Sequence, residues 1–125
     1  MPSFQTLLYS IADGVCTITL NRPEVYNAFN EQLKQELNDA LKEAEKDSKV
    51  RCLVIRGAGD KAFCSGQDLK EHSSLKRSLK DSLEKSYNPM IRKIRAMVTL
   101  FAVVMPRTVL SRRSKSQTFS SAFLR

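Results

Sequence analysis

The sequence predicts an α/β fold, and three observations carry that prediction. Asp13-Gly14 joins two apolar runs, a strong short-range sign of a hairpin. Between about Asn30 and Lys46, the residues Phe29, Leu33, Leu37, Leu41 and Ala44 recur at three- and four-residue spacing, with Ala40 beside them, as one amphipathic helix requires. Val50 to Arg56 has an apolar core without alternation, the pattern of a strand covered on both faces in a parallel sheet. Strand, helix and strand in that order make a βαβ crossover, which is right-handed in nearly all sheets.

In chain order, the first strand is expected over Phe4 to Ile11 and the second over Val15 to Leu20. Cys16, Ile18 and Leu20 form the more apolar face of the second. Asn21-Arg22-Pro23 ends it, because proline has no N–H for a ladder. Asn30 is placed to cap the helix, with Glu31 in its first turn. Lys34, Glu36, Asp39, Lys42, Glu43 and Glu45 form its solvated face. After Leu69 the chain turns helical again, with Leu75, Leu79 and Leu83 on one face and Tyr87 the next step. Asn88-Pro89 is expected to break that helix, and a second one follows to Met97. Val98 to Met105 is apolar, and residues 107–121 are polar without a helical stripe. The division expected is 1–97 as the folded region and 98–125 as an atypical, poorly ordered basic tail.

Bulk properties exclude several classes. A chain of 125 residues, 42% hydrophobic and 27% charged, suits one domain with a buried core. No apolar run approaches a membrane span, and the start lacks the layout of a secretory signal, so no membrane partner is expected. Cys16, Cys52 and Cys64 are odd in number and lack a CxxC pair, which points to reduced thiols and a cytoplasmic protein. A single histidine, His72, argues against a multi-histidine metal site, and no metal is expected. The net charge is +8, and residues 98–125 hold five basic side chains (Arg107, Arg112, Arg113, Lys115, Arg125) and no acid. Such a tail could bind nucleic acid, with salt-sensitive affinity lost on its deletion, but it carries no recognition motif, and no nucleic-acid partner is expected.

In open α/β sheets ligands sit at the carboxyl ends of strands, which singles out the loops Asn21 to Asn30 and Gly57 to Asp68. The second ends in Ser65-Gly66-Gln67-Asp68. Gly66 allows positive φ or close approach, so N–H groups there could face an anion. The alternative is an ordinary strand-to-helix turn capped by Asp68. Gly57-Ala58-Gly59 lacks the remainder of a phosphate loop. Cys64 has no visible base partner, and Asp68 with Glu71 reads as capping and surface groups more than as a catalytic pair.

Three segments together resemble the enoyl-CoA hydratase/isomerase (crotonase) superfamily. They are Ile18 to Glu24 with Asn27-Ala28, Asp47 through Val50-Arg51 to Val54-Ile55, and Ala62 to Leu69. The resemblance runs from about Phe4 to Met97. Gly66-Gln67-Asp68-Leu69 and Tyr87 to Ile91 are most similar to ring-epoxyacetyl-CoA isomerases. The resemblance implies the N-terminal part of a ββα spiral fold that assembles as trimers or hexamers. It implies that the backbone N–H of Gln67 is one oxyanion donor to a thioester oxygen. Val25, Tyr26, Ala28, Ser65, Gly66, Gln67, Asp68 and Leu69 would contact acyl-CoA, with the Ser65 carbonyl on the adenine. The substrate would be a coenzyme A thioester, with no tightly bound cofactor. Arg22 would favour the phosphates.

The family runs to roughly twice this length, and its second oxyanion donor and catalytic carboxylates come after a segment like Ile91 to Met97. They are expected to be absent here, although Thr118 to Arg125 again resembles a family segment found well downstream. The expectation is therefore a shortened, catalytically incomplete chain. The alternative is a non-catalytic protomer that binds acyl-CoA or joins full-length relatives.

Overall fold

The computed structural model describes residues 3–74, 78–97, 100–104 and 122–123. Strands β1 (Leu7–Ala12) and β2 (Val15–Leu20) form an antiparallel hairpin through Asp13 and Gly14, both at positive φ. Helix α1 (Glu31–Lys46) carries the chain to β3 (Cys52–Gly57), which pairs parallel with β2. Helices α2 (Leu69–Ser74) and α3 (Leu79–Ser82), a π turn (Leu83–Tyr87) and α4 (Asn88–Ala96) follow. Strand β4 (Leu100–Val104) pairs parallel with β3, and β5 (Ala122–Phe123) pairs antiparallel with β4. The sheet order is β1-β2-β3-β4-β5.

The core follows the two sequence periods. Leu33, Leu37, Ala40, Leu41 and Ala44 of α1 bury against Leu7, Cys16, Ile18, Leu20, Leu53 and Ile55 of the sheet, with Met90 and Met97 closing one side. Each fully buried leucine contributes about 1.5–3 kcal/mol, so the stripe decides where α1 lies. Asn30 caps the helix by accepting from the Leu33 N–H at 2.8 Å. Glu36, on the face read as solvated, accepts from the Gln5 N–H, the Thr6 N–H and the Thr6 hydroxyl, tying the entry of β1 to α1.

Three expectations need revision. In β3 Leu53 and Ile55 are buried, but Cys52 and Val54 are only half-buried, so one face is covered more than the other. Asn88-Pro89 does not break the helix. The π turn ends with the Asn88 N–H bonded to the Leu83 carbonyl, and this wider turn accommodates Pro89, whose missing N–H and ring bulk an α-helical interior would not. Leu79 and Leu83 are exposed, so the face they share is not part of the core. The boundary expected after residue 97 falls just before β4, and residues 100–104 join the sheet. The apolar residues Leu100–Val104 find in this strand the pairing that satisfies their backbone. Residues 105–121 and 124–125, most of the expected tail, lie outside the described residues.

Candidate functional site

The two loops at the carboxyl ends of β2 and β3 meet through one side chain. Asn27 is fully buried. Its Oδ1 accepts from the Arg22 N–H at 2.9 Å, and its Nδ2 donates to the Ala58 and Ala62 carbonyls at 3.0 Å each. Tyr26 and Asn27 both lie in the left-handed region, at φ 55° and 57°. Asparagine tolerates that conformation, and tyrosine adopts it at a cost of about 1–2 kcal/mol. Gly57 ends β3 directly beneath the second loop, where a Cβ would stand 2.6 Å from the Ala62 oxygen and collide with the Phe63 oxygen. A cleft of about 170 Å³ lies between the loops, lined among others by Pro23, Tyr26, Asn27 and Lys61.

From there the loops run side by side. The Ser65 N–H donates to the Tyr26 carbonyl at 3.0 Å, and the Ser65 hydroxyl to the Val25 carbonyl at 3.4 Å. The Phe29 N–H donates to the Gly66 carbonyl, and the Asp68 N–H to the Phe29 carbonyl, both at 2.8 Å. These two bonds are a parallel bridge between Phe29 and Gln67. The Gly66 carbonyl and the Gln67 N–H belong to one trans peptide plane, so they point in opposite directions. With the carbonyl held by Phe29, the Gln67 N–H is turned away from the paired loop, and among the described residues it meets no acceptor. Gly66 has φ +107°, open only to glycine without strain, and nothing lies within 4 Å of where its Cβ would be. The glycine is there for backbone direction, not for space.

The polar groups around the turn are engaged structurally. Asp68 accepts from the Lys70 and Glu71 N–H groups, which makes it the cap of α2, and pairs with Arg22 at 3.2 Å. The Glu71 N–H, against burial and ahead of the Arg22 guanidinium, holds the Asp68 carboxyl below its ordinary range. Arg22 also donates to the Ala28 carbonyl, so it serves the loop and not an open phosphate site. Glu71 accepts from the Glu31 N–H at 2.8 Å, docking α2 onto the start of α1. Asp68 and Glu71 thus act as caps, not as a catalytic pair. Burial pushes the Cys64 thiol up, although the Gly66 N–H bond to its sulfur works the other way, so it is a packed thiol and not a poised nucleophile. Among the described residues no cluster of three or more metal-ligating side chains occurs, and no helix is long and apolar enough to cross a membrane.

The structure therefore brings Val25, Tyr26, Ser65, Gly66, Gln67 and Asp68 together. Tyr26 and Leu69 are exposed, whereas the Ala28 side chain is buried. Sequence reasoning passed over the Asn27 clamp, the Arg22–Asp68 pair and a bond from the Tyr87 hydroxyl to the Gln67 Oε1. A signal for the first was an asparagine just after the proline-terminated strand, since asparagine favours left-handed turns. The other two join residues 46 and 20 positions apart. The expected absence of a second oxyanion donor and of catalytic carboxylates concerns positions outside the described residues.

This arrangement of strands, crossover helix and glycine-glutamine turn is that of a crotonase fold. An enoyl-CoA hydratase/isomerase solved from Xanthobacter autotrophicus Py2 superposes with TM-score 0.67 at 32% identity, over 83% of this chain and 39% of that one. The enoyl-CoA hydratase of Bacillus anthracis superposes with TM-score 0.72 over 81% of this chain and 40% of its own, at 24% identity. The sequence model of the enoyl-CoA hydratase/isomerase family matches residues 10–104. The chain belongs to that family. It is similar to the 1,2-epoxyphenylacetyl-CoA isomerase of Escherichia coli strain K12, at 40% identity over 92 residues, which are 70% of this chain. The match covers 35% of that relative's length.

Proposed function

We propose that this chain binds acyl-CoA thioesters, and that the Gln67 N–H is one donor of an oxyanion hole for the thioester oxygen. The observation that carries the reading is the Gly66–Gln67 peptide, whose carbonyl is held by Phe29 so that its N–H faces away and meets no acceptor among the described residues. A thioester enolate concentrates charge on one oxygen, and preorganised N–H donors at about 3 Å stabilise it by a few kcal/mol. Val25, Tyr26, Ala28, Ser65, Gly66, Asp68 and Leu69 frame the acyl-CoA path, and the Ser65 carbonyl is its adenine contact. That carbonyl accepts none of the hydrogen bonds among the described residues. Ring-epoxyacetyl-CoA is the proposed substrate class, supported by the identity to the Escherichia coli isomerase.

Residues 1–125 alone are proposed to bind without turning over, since full oxyanion catalysis takes a second donor and acid–base groups. Cytoplasmic location belongs to the same proposal, supported by three unpaired thiols. Trimeric or hexameric assembly, or entry into trimers of longer relatives, is supported by exposed Leu79, Leu83 and Ile91. The test replaces the Gln67 amide by an ester, which deletes only that N–H, and compares calorimetric affinities for crotonyl-CoA and its S-butyl thioether. Loss of the preference for the thioester is expected. An unchanged preference, or hydration of crotonyl-CoA by the 125-residue chain, would overturn the respective part of the proposal.

A further inference from the structure

Gln67 is gripped a second time, through its side chain. Tyr87 is the last residue of the π turn, and its hydroxyl donates to the Gln67 Oε1 at 2.6 Å. The Tyr87 ring meets Phe29 edge-on, with centroids 5.8 Å apart and planes at 84°. Phe29 is the residue whose N–H holds the Gly66 carbonyl. The Lys34 ammonium, on a side chain only 4% exposed, sits 4.6 Å from the centre of the Tyr87 ring and 3.1 Å from Glu31 Oε1. A desolvated cation over an aromatic face is attracted to its negative centre and holds the ring in place. Burial, ahead of the Cys64 and Glu31 charges, pushes the phenol up to about 12, so the hydroxyl remains a donor at neutral pH. Phe29 thus orients the Gly66–Gln67 peptide from the backbone side, and Tyr87 restrains Gln67 from the helical side. The π turn that sets the direction of Tyr87 is a form of helix found often at functional sites.

We propose that Tyr87 is a positioning residue for the thioester-binding N–H of Gln67, held in register by Phe29 and by Lys34 on its ring. The proposal rests on the acyl-thioester reading above. Two variants test it. Tyr87→Phe keeps the ring and removes the hydroxyl. Gln67→Met keeps the side-chain length and removes the acceptor. The probes are crotonyl-CoA labelled with carbon-13 at the carbonyl and its S-butyl thioether, which has no carbonyl.

In the wild type, the thioester is expected to bind more tightly than the thioether, with its carbonyl stretch shifted to lower frequency. In Tyr87→Phe, thioester affinity is expected to fall about three- to tenfold, the size of one net hydrogen bond, with thioether affinity essentially unchanged. The carbonyl stretch should return toward its free value. Gln67→Met should do the same, and the double variant should be no worse than either single one. If Tyr87→Phe fails to fold, as far-UV circular dichroism would reveal, Gln67→Met carries the same comparison. A wild type that binds both ligands alike overturns the acyl-thioester reading and this proposal with it. A discriminating wild type whose preference and carbonyl stretch survive both substitutions overturns the role of Tyr87 alone.

Discussion

Asn27→Ala should be the most damaging single change at the loops. The side chain is fully buried and makes three hydrogen bonds, to the Arg22 N–H and to the Ala58 and Ala62 carbonyls. Truncation removes all three and leaves their partners to find water or none. At about 1 kcal/mol net per bond, with about 1 kcal/mol more for a β-carbon at φ 57° without asparagine's tolerance, the loss is about 4 kcal/mol. That is a large share of the roughly 5–15 kcal/mol that holds a domain together. Urea unfolding followed by circular dichroism should show a lower midpoint at unchanged slope. Asn27→Gly loses the same bonds without the left-handed penalty, so it should be about 1 kcal/mol milder. An Asn27→Ala variant within about 0.5 kcal/mol of wild type would refute the clamp. A glycine variant worse than the alanine one would refute the backbone component.

The glycines separate two kinds of constraint. Gly57→Ala places a Cβ against fixed backbone, 2.6 Å from the Ala62 oxygen, and should cost about 3 kcal/mol or more in the same unfolding assay. Gly66→Ala meets no atom within 4 Å and should cost only about 1–2 kcal/mol from its φ of +107°, but calorimetry should show weaker thioester binding. The acid limb of stability offers a further check. Asp68 and Glu36 both titrate below their ordinary values of 3.8 and 4.5 in the fold, Asp68 chiefly through the Glu71 N–H. For Glu36, burial works the other way but is outweighed by the bonds from Thr6, Gln5 and Gln32. The unfolded chain therefore takes up these protons first as pH falls. Their stabilisation is complete above the ordinary values and is lost as pH drops through the lower native ones. Asp68→Asn and Glu36→Gln should each flatten the fall in urea midpoint below about pH 4.5, and an unchanged acid limb would contradict the assignment.

What the sequence by itself determined is local and periodic. Val15 to Leu20 and the Asp13-Gly14 turn form as read, because alternation and positive-φ preference are properties of neighbouring residues. Helix α1 runs over Glu31–Lys46 with Asn30 as its cap, because the stripe and the capping group lie in one short stretch. The carboxyl-end placement of the glycine-glutamine turn was legible from topology, and the family from motif order.

Only the tertiary structure decided how that turn is aimed. The direction of the Gln67 N–H depends on a bond from Phe29, and its restraint on Tyr87. The Arg22–Asp68 pair and the bond of Glu71 to the start of α1 depend on partners 40 or more positions away. The pairing of Leu100–Val104 with β3, and the exposure of Leu79 and Leu83 despite their helical spacing, likewise follow from which surfaces the packed chain brings into contact. Periodicity reports which side of an element is apolar, but a hydrogen bond is set by atomic positions that exist only once distant segments have packed.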